Sequence, residues 1–341
     1  MSDLPLILSC PLPRSLELIF APELLADLRA RYRIVETTDE GLAALPDDVL
    51  ARARYIIGQP PMDEALLARL TTLRCVFNVE SNLLDNMAYE AAFARGIHVV
   101  TTGAVFAEPV AEIGLGFALS LLRNIHGADA DFREGREAWG GDGNGAARLL
   151  TGAEVGILGF GDLGRAVARV LTGFRPRLRV YDPWLAPSRI VAAGAEPASL
   201  DEVLAQSDVV FVTAAVTSEN QGFLGAKAFA LMRTGAAFIL LSRASVVDFP
   251  ALVAAVGSGH IVAASDVWPE EPLAQDHPVR AVKGFLRSAH RAGALDSAMK
   301  RMGDMVLEDM DLMDRGLPPL RCKRAERETA SKMRSKPVDM T

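Results

Sequence analysis

The sequence predicts an α/β protein with two parallel-sheet regions, and three observations lead there. Short apolar runs alternate with helix-length segments along most of the chain, the order that builds βαβ units. The runs are apolar at every position rather than at every second one, as strands are when helices cover both faces of a sheet. A glycine-rich polar stretch interrupts the alternation once, and the 341 residues fit two domains better than one or three.

In the first region the strand-like runs are 6–8, 33–35, 55–57, 75–77 and 98–100, with helical spacing over 15–31, 63–70 and 85–95. A long apolar helix follows from Val110 to Asn124. Residues 127–145 carry six glycines and read as a connector with little regular structure. The second region places strands at 155–158, 178–181, 209–212, 237–241 and 261–264, and a last short one at 284–288. A methionine-rich helix over 298–312 brings Met302, Met305, Val306 and Met313 to one packing face. The tail, 321–341, holds seven basic and three acidic residues and reads as a surface or partner-contacting arm.

Composition narrows the function. Half of the residues are apolar and 23% are charged, which is the globular range. A net charge of −7 argues against a nucleic-acid partner, since phosphate binding draws on Lys and Arg. Three scattered cysteines support neither a disulfide framework nor a metal site. No apolar run approaches the ~18–20 residues of a membrane span, and the first residues do not resemble a secretory signal. A cytoplasmic protein without a membrane partner is expected.

The sharpest motif is Gly159-Phe160-Gly161-Asp162-Leu163-Gly164, which follows one predicted strand and opens a helix over about 162–171. The first glycine permits a tight turn, the second lets backbone approach a pyrophosphate, and the third allows close helix–strand packing. The helix N-terminus then offers N–H groups and a positive dipole to the phosphates. Asp182 ends the next strand, where a carboxylate accepts the hydroxyls of an adenine ribose and repels a 2′-phosphate; no Arg follows to receive that phosphate. NAD is therefore expected rather than NADP.

Four further polar residues follow later strands of the same region, on the rim that carries the glycine loop: Arg243, Asp266, Glu271 and His290. A Glu–His pair fixes an imidazole tautomer and stabilises its protonated form. An Arg offers a bidentate cation to a carboxylate or a polarised carbonyl. The other histidines (His98, His126, His260, His277) read as structural or exposed.

In this order, these residues resemble the D-isomer-specific 2-hydroxyacid dehydrogenase family. The stretches that carry the likeness are 155–164, 241–248, Asp266-Val-Trp-Pro-Glu-Glu-Pro272 and Ser288-Ala-His-Arg-Ala-Gly293, with Val110-Ala-Glu112 and Arg95-Gly-Ile97 in support. The resemblance implies two Rossmann/flavodoxin-like lobes with the active site in the cleft between them. Residues 1–107 with 297–341 would form the substrate-binding lobe and 108–296 the NAD-binding lobe. It implies hydride transfer between nicotinamide and C2 of a 2-hydroxy or 2-oxo acid. His290 would be the general acid/base, Glu271 its orienting partner and Arg243 the holder of the substrate carboxylate. Asp266 would lie near the nicotinamide. Thr213, Ala214, Ala215, Ser242 and Gly293 would complete the cofactor site, and Val79, Glu80 and Ser81 would meet the substrate. A homodimer through the cofactor lobe is implied as well. An alternative on the same fold is a dinucleotide-sensing, corepressor-like scaffold, which would need only the glycine loop and Asp182.

The sequence departs from the family pattern at its substrate loop, Asn78-Val-Glu-Ser-Asn-Leu-Leu-Asp-Asn86. Ser81 and Leu83 stand where glycines are usual, and Glu80 brings a negative charge. Glu80 either pairs with a nearby arginine, leaving the N–H groups of Glu80 and Ser81 to the carboxylate, or faces a substrate with hydroxyls or a cation. In both cases pyruvate and glyoxylate are expected to be poor substrates. Thr213-Ala-Ala215 also replaces the family's usual His-x-Pro, and Arg291 follows the candidate acid/base.

Overall fold

Residues 4–80 and 82–334 are described by the computed structural model. Its strands are β1 (Leu6–Ser9), β2 (Arg33–Glu36), β3 (Ala53–Ile57), β4 (Cys75–Asn78), β5 (His98–Thr101), β6 (Glu154–Leu158), β7 (Arg177–Tyr181), β8 (Glu196–Pro197), β9 (Val209–Val212), β10 (Ala237–Leu240), β11 (Val262–Ser265), β12 (Phe285–Arg287) and β13 (Lys323–Arg324). The chain divides into two compact units. Unit 1 comprises Met1–Phe106, Thr217–Glu219 and Ala294–Thr341; unit 2 comprises Ala107–Val216 and Asn220–Gly293. The excursion Thr217–Glu219 has no counterpart in the sequence reading.

Unit 1 holds a sheet in the order β13-β5-β4-β3-β1-β2. Strands β1 to β5 are parallel, and only β13 runs antiparallel, on β5. Side chains alternate between the sheet's two faces. Ile7, Tyr55, Ile57 and Phe77 therefore enter one core and Leu8, Ile56, Val76 and Val99 the other. Helix Asp296–Asp314 buries Met302, Met305, Val306, Met310 and Met313 against the first of these cores, as its stripe predicts.

The tail, read as a surface or partner-contacting arm, lies along the surface of unit 1 over residues 321–334. The Asp309 carboxylate, fully buried, accepts the backbone N–H groups of Leu320 (2.7 Å), Arg321 (2.8 Å) and Cys322 (2.8 Å). β13 then covers the edge of β5, which would otherwise expose unpaired backbone groups. The rest of the arm, 335–341, lies outside the described residues.

Unit 2 holds a fully parallel sheet in the order β12-β11-β10-β9-β6-β7-β8. The order reverses at β6, between β7 and β9. Helix Ala107–Arg123 buries Ala111, Gly114, Phe117, Ala118 and Leu122. Together with the short turn before it, the segment Gly103–Arg123 is long and apolar enough to cross a membrane. Within unit 2 its inner face belongs to the core formed with Val155, Ile157, Phe211 and Ile239.

The connector also differs from expectation. Ile125–Arg133 is a helix, and a 3₁₀ turn covers Gly140–Asn144. The glycines hid a helical pattern supported by the Asp129–Arg133 ion pair (3.0 Å), one turn apart.

Candidate active site

Six loops leave the carboxyl ends of parallel strands on one rim of unit 2, and they carry the residues singled out in that half of the sequence. Gly159 follows β6, Asp182 follows β7, Thr213-Ala214-Ala215 follow β9, Ser242 and Arg243 follow β10, Asp266 follows β11, and His290 follows β12. The β6 and β9 loops flank the point where strand order reverses, where open α/β sheets bind their ligands.

The glycine loop needs its glycines for three separate reasons. Gly159 has φ +88°, and a Cβ there would lie 2.5 Å from the Cα of Ala214. A Cβ on Gly164 would lie 2.3 Å from the carbonyl oxygen of Gly159. At Gly161 nothing lies within 4 Å of the Cβ position, so that face is open. Helix Asp162–Val170 starts beside it without a side-chain cap. An open backbone face at an uncapped helix N-terminus suits a pyrophosphate, and the residues present fit a dinucleotide.

Neighbouring side chains hold this loop in place. The Thr213 hydroxyl donates to the carbonyls of Leu158 and Gly159. Asp182 accepts the N–H of Phe160 (2.7 Å) and of Trp184 (2.9 Å). Phe160 is therefore corrected as a cofactor contact: its side chain is buried in the core and its N–H is engaged by Asp182. Leu163 likewise packs against the core, and Asp162 pairs with Arg165 at 2.7 Å. The Ala215 carbonyl accepts from Asn220 at 2.7 Å.

The histidine loop is held as tightly. His290 Nδ1 lies 2.5 Å from Glu271 Oε2. The other carboxylate oxygen, Oε1, accepts the Trp268 N–H at 2.8 Å. Burial pushes the Glu271 carboxyl up, but the His290 hydrogen bond, the Trp268 N–H and the charges of His290 and Arg243 outweigh it and hold the group below its ordinary value. Asp266, 2% exposed, accepts the N–H groups of Arg291 (3.1 Å) and Ala292 (3.0 Å) through its carboxylate. Its backbone carbonyl accepts the His290 N–H at 2.7 Å. His290 takes φ +47°, unusual for a residue with a side chain, and this clamp keeps it there. The resemblance implies a place for Asp266 near the nicotinamide; its observed contacts position the histidine loop. Gly293 is the last residue of the unit. The Arg243 Nη1 donates to the Ser242 carbonyl at 2.8 Å, and the Ser242 hydroxyl is buried with no hydrogen-bond partner.

In unit 1 the loop after β4 carries Val79 and Glu80. Val79 turns its side chain into the core, so only its backbone is left for a ligand. The N–H of Glu80, expected to serve a carboxylate, is donated to Asn78 Oδ1 at 2.9 Å. Ser81 lies outside the described residues. Glu80 is 5% exposed and its charge acts on Arg14. Asn78 and Gln59 were missed by sequence reasoning. Asn78 Nδ2 donates to Gln59 Oε1 at 2.8 Å, while Gln59 Nε2 donates to the Leu84 carbonyl at 3.1 Å and Asn86 Oδ1 at 2.9 Å. Their only signal was a polar side chain just past the end of an apolar strand.

Residues 115–292 match the model of the NAD-binding domain of the D-isomer specific 2-hydroxyacid dehydrogenases, more than half of the chain. The chain belongs to that family. Its cofactor is NAD. The chain is 69% identical to a phosphoglycerate oxidoreductase from Rhizobium etli of solved structure, over 95% of this chain and 99% of that one, with a TM-score of 0.87. It is 30% identical to a glyoxylate reductase of Aeropyrum pernix, over 87% of this chain and 91% of that protein. It is 31% identical to a D-3-phosphoglycerate dehydrogenase of Mycobacterium bovis, over 80% of this chain. The match spans about half the length (51%) of that mycobacterial relative.

Proposed function

We propose that the protein is an NAD-dependent oxidoreductase acting on a 2-hydroxy or 2-oxo acid. The observation that carries this is the His290–Glu271 contact of 2.5 Å on the rim that also carries the open glycine loop. Bound NAD supplies hydride transfer to or from C2 of the acid. Because Glu271 engages Nδ1, His290 exchanges a proton with the substrate oxygen through Nε2. In reduction it gives its proton to the keto oxygen as the hydroxyl forms, and in oxidation it takes the hydroxyl proton as the carbonyl forms. Glu271 stabilises the imidazolium and fixes the tautomer. Arg243 holds the substrate carboxylate and polarises the keto oxygen. Asp182 selects NAD through the ribose hydroxyls, and Val79, Glu80 and Ser81 serve the substrate side of the site.

The exposed apolar side chains Phe132 and Trp139 on the connector of unit 2, with Ile125 and Leu149 just outside its two ends, support a homodimer formed through that unit. Three buried, unpaired cysteines accord with a reducing compartment such as the cytoplasm.

The test is a screen of 2-oxo acids with NADH oxidation followed by fluorescence, in wild type and His290→Ala. Turnover by the wild type is expected to fall about 10²–10⁴-fold in the variant, with NADH binding retained. Undiminished turnover in His290→Ala would overturn the assignment of the acid/base.

A further inference from the structure

We propose that Arg14 reads a second anionic group on the substrate acid, with Glu80 limiting how much negative charge it admits. The inference rests on the oxidoreductase reading above and adds a specificity-determining residue to it.

Topology gives the first reason. In unit 1 the order of the parallel strands is β5-β4-β3-β1-β2, so it reverses between β3 and β1. Ligands of such sheets bind outside the carboxyl ends of the strands at this point. Arg14 lies in the loop after β1, and Glu80 in the loop after β4, on the same rim.

The contacts of Arg14 give the second. Nη1 is buried and makes no hydrogen bond. Nε donates only to the thioether of Met299 at 3.4 Å, a weak acceptor. The guanidinium lies over the Phe106 ring, 5.6 Å from its centroid. Desolvation lowers its pKa and the Glu80 charge opposes that fall. A guanidinium placed only to neutralise Glu80 would spend its nitrogens on oxygen acceptors. This one is flanked by sulfur and an aromatic face and keeps a buried donor unspent. A buried, unused N–H is costly unless a ligand takes it.

The loop gives the third reason. The Glu80 N–H and the Val79 side chain, both candidates to face a substrate acid, are engaged inside unit 1. Arg14 supplies the donor capacity that this loop has lost. A carboxylate or a phosphate ester matches the guanidinium fork, while Glu80 disfavours a ligand that brings charge without meeting Arg14 directly.

The experiment compares three acids that share the 2-hydroxy acid end: D-3-phosphoglycerate, D-malate and D-glycerate. Steady-state rates with NAD are measured for the full chain and for Arg14→Met, Arg14→Lys and Glu80→Gln. In Arg14→Met the ratio of kcat/KM for D-3-phosphoglycerate over D-glycerate is expected to fall about 30-fold or more, with partial recovery in Arg14→Lys. A fall confined to the D-malate ratio would assign the second anion as a carboxylate. Glu80→Gln is expected to raise the affected ratio. A ratio within threefold of wild type in Arg14→Met for both acids would overturn the proposal.

Calorimetric titration of the same proteins with D-3-phosphoglycerate separates the two levels. If no acid is turned over but binding is present in wild type and lost in Arg14→Met, the oxidoreductase reading fails and the anion site stands. Equal binding by both proteins overturns the site.

Discussion

Replacing Asp266 by Asn isolates the clamp on the histidine loop. The carboxylate accepts two N–H groups, from Arg291 and Ala292, while the backbone carbonyl of the same residue accepts from His290. An amide offers one oxygen where the carboxylate offers two, and turns its NH₂ against the remaining N–H. Hydrogen bonds to a charged group contribute about 1.5–3 kcal/mol each. Losing one, with an opposed donor left in a site only 2% exposed, costs the ordered loop about 3 kcal/mol. The left-handed conformation of His290 adds a cost of roughly 1–2 kcal/mol that the weakened clamp no longer offsets. At 1.4 kcal/mol per tenfold, these costs together should open the loop about 10³-fold more often. Hydrogen exchange followed by mass spectrometry over 285–295 reads this directly and needs no substrate. With a substrate in hand, kcat should fall by a similar factor while NADH affinity stays within about threefold. Unchanged exchange of the Arg291 and Ala292 amides would refute the clamp.

Three more outcomes follow from contacts described above. Asp182→Ala should weaken NAD binding about tenfold and narrow the preference over NADP, because it removes the ribose acceptor and also releases the Phe160 and Trp184 N–H groups; calorimetry with both cofactors checks it, and tight NADP binding by the wild type would contradict it. The Glu271 carboxyl is held below its ordinary value of 4.5 when folded, so its contribution to stability is present above that value and is lost as pH falls through the lowered one. Melting temperature against pH should show this acid limb in the wild type and lack it in Glu271→Gln. Asp309→Ala removes the acceptor of three N–H groups and should cost about 3 kcal/mol or more; thermal melts report the loss, and proteolysis of the released tail beyond 320 should quicken.

Much of the site was legible in sequence because its chemistry depends on local spacing. Gly159, Gly161 and Gly164 are demanded by a strand–turn–helix of fixed geometry, so the motif with its flanking pattern announces itself. Arg243, Asp266 and His290 could be placed on one rim because each follows an apolar run, and parallel strands put all such ends on the same side. The substrate loop was legible only as a departure. Where the Val79 side chain and the Glu80 N–H go depends on Asn78 and Gln59, which are nineteen residues apart and meet only once β3 and β4 pair.

The sequence by itself determined the two alternating regions, the doubly covered sheets, the cofactor loop and the order of the candidate catalytic residues, because these follow from periodicities and turns a few residues long. Only the tertiary structure decided which polar groups are spent and which are left open. Asp182 braces the glycine loop, Asp266 clamps the histidine loop and Asp309 ties down the tail. Arg14 is brought to the rim that carries Glu80 with one nitrogen unused. The physical reason is the same each time: a buried donor or acceptor must find a partner, and that partner comes from wherever the fold brings the chain back, at separations no local pattern encodes.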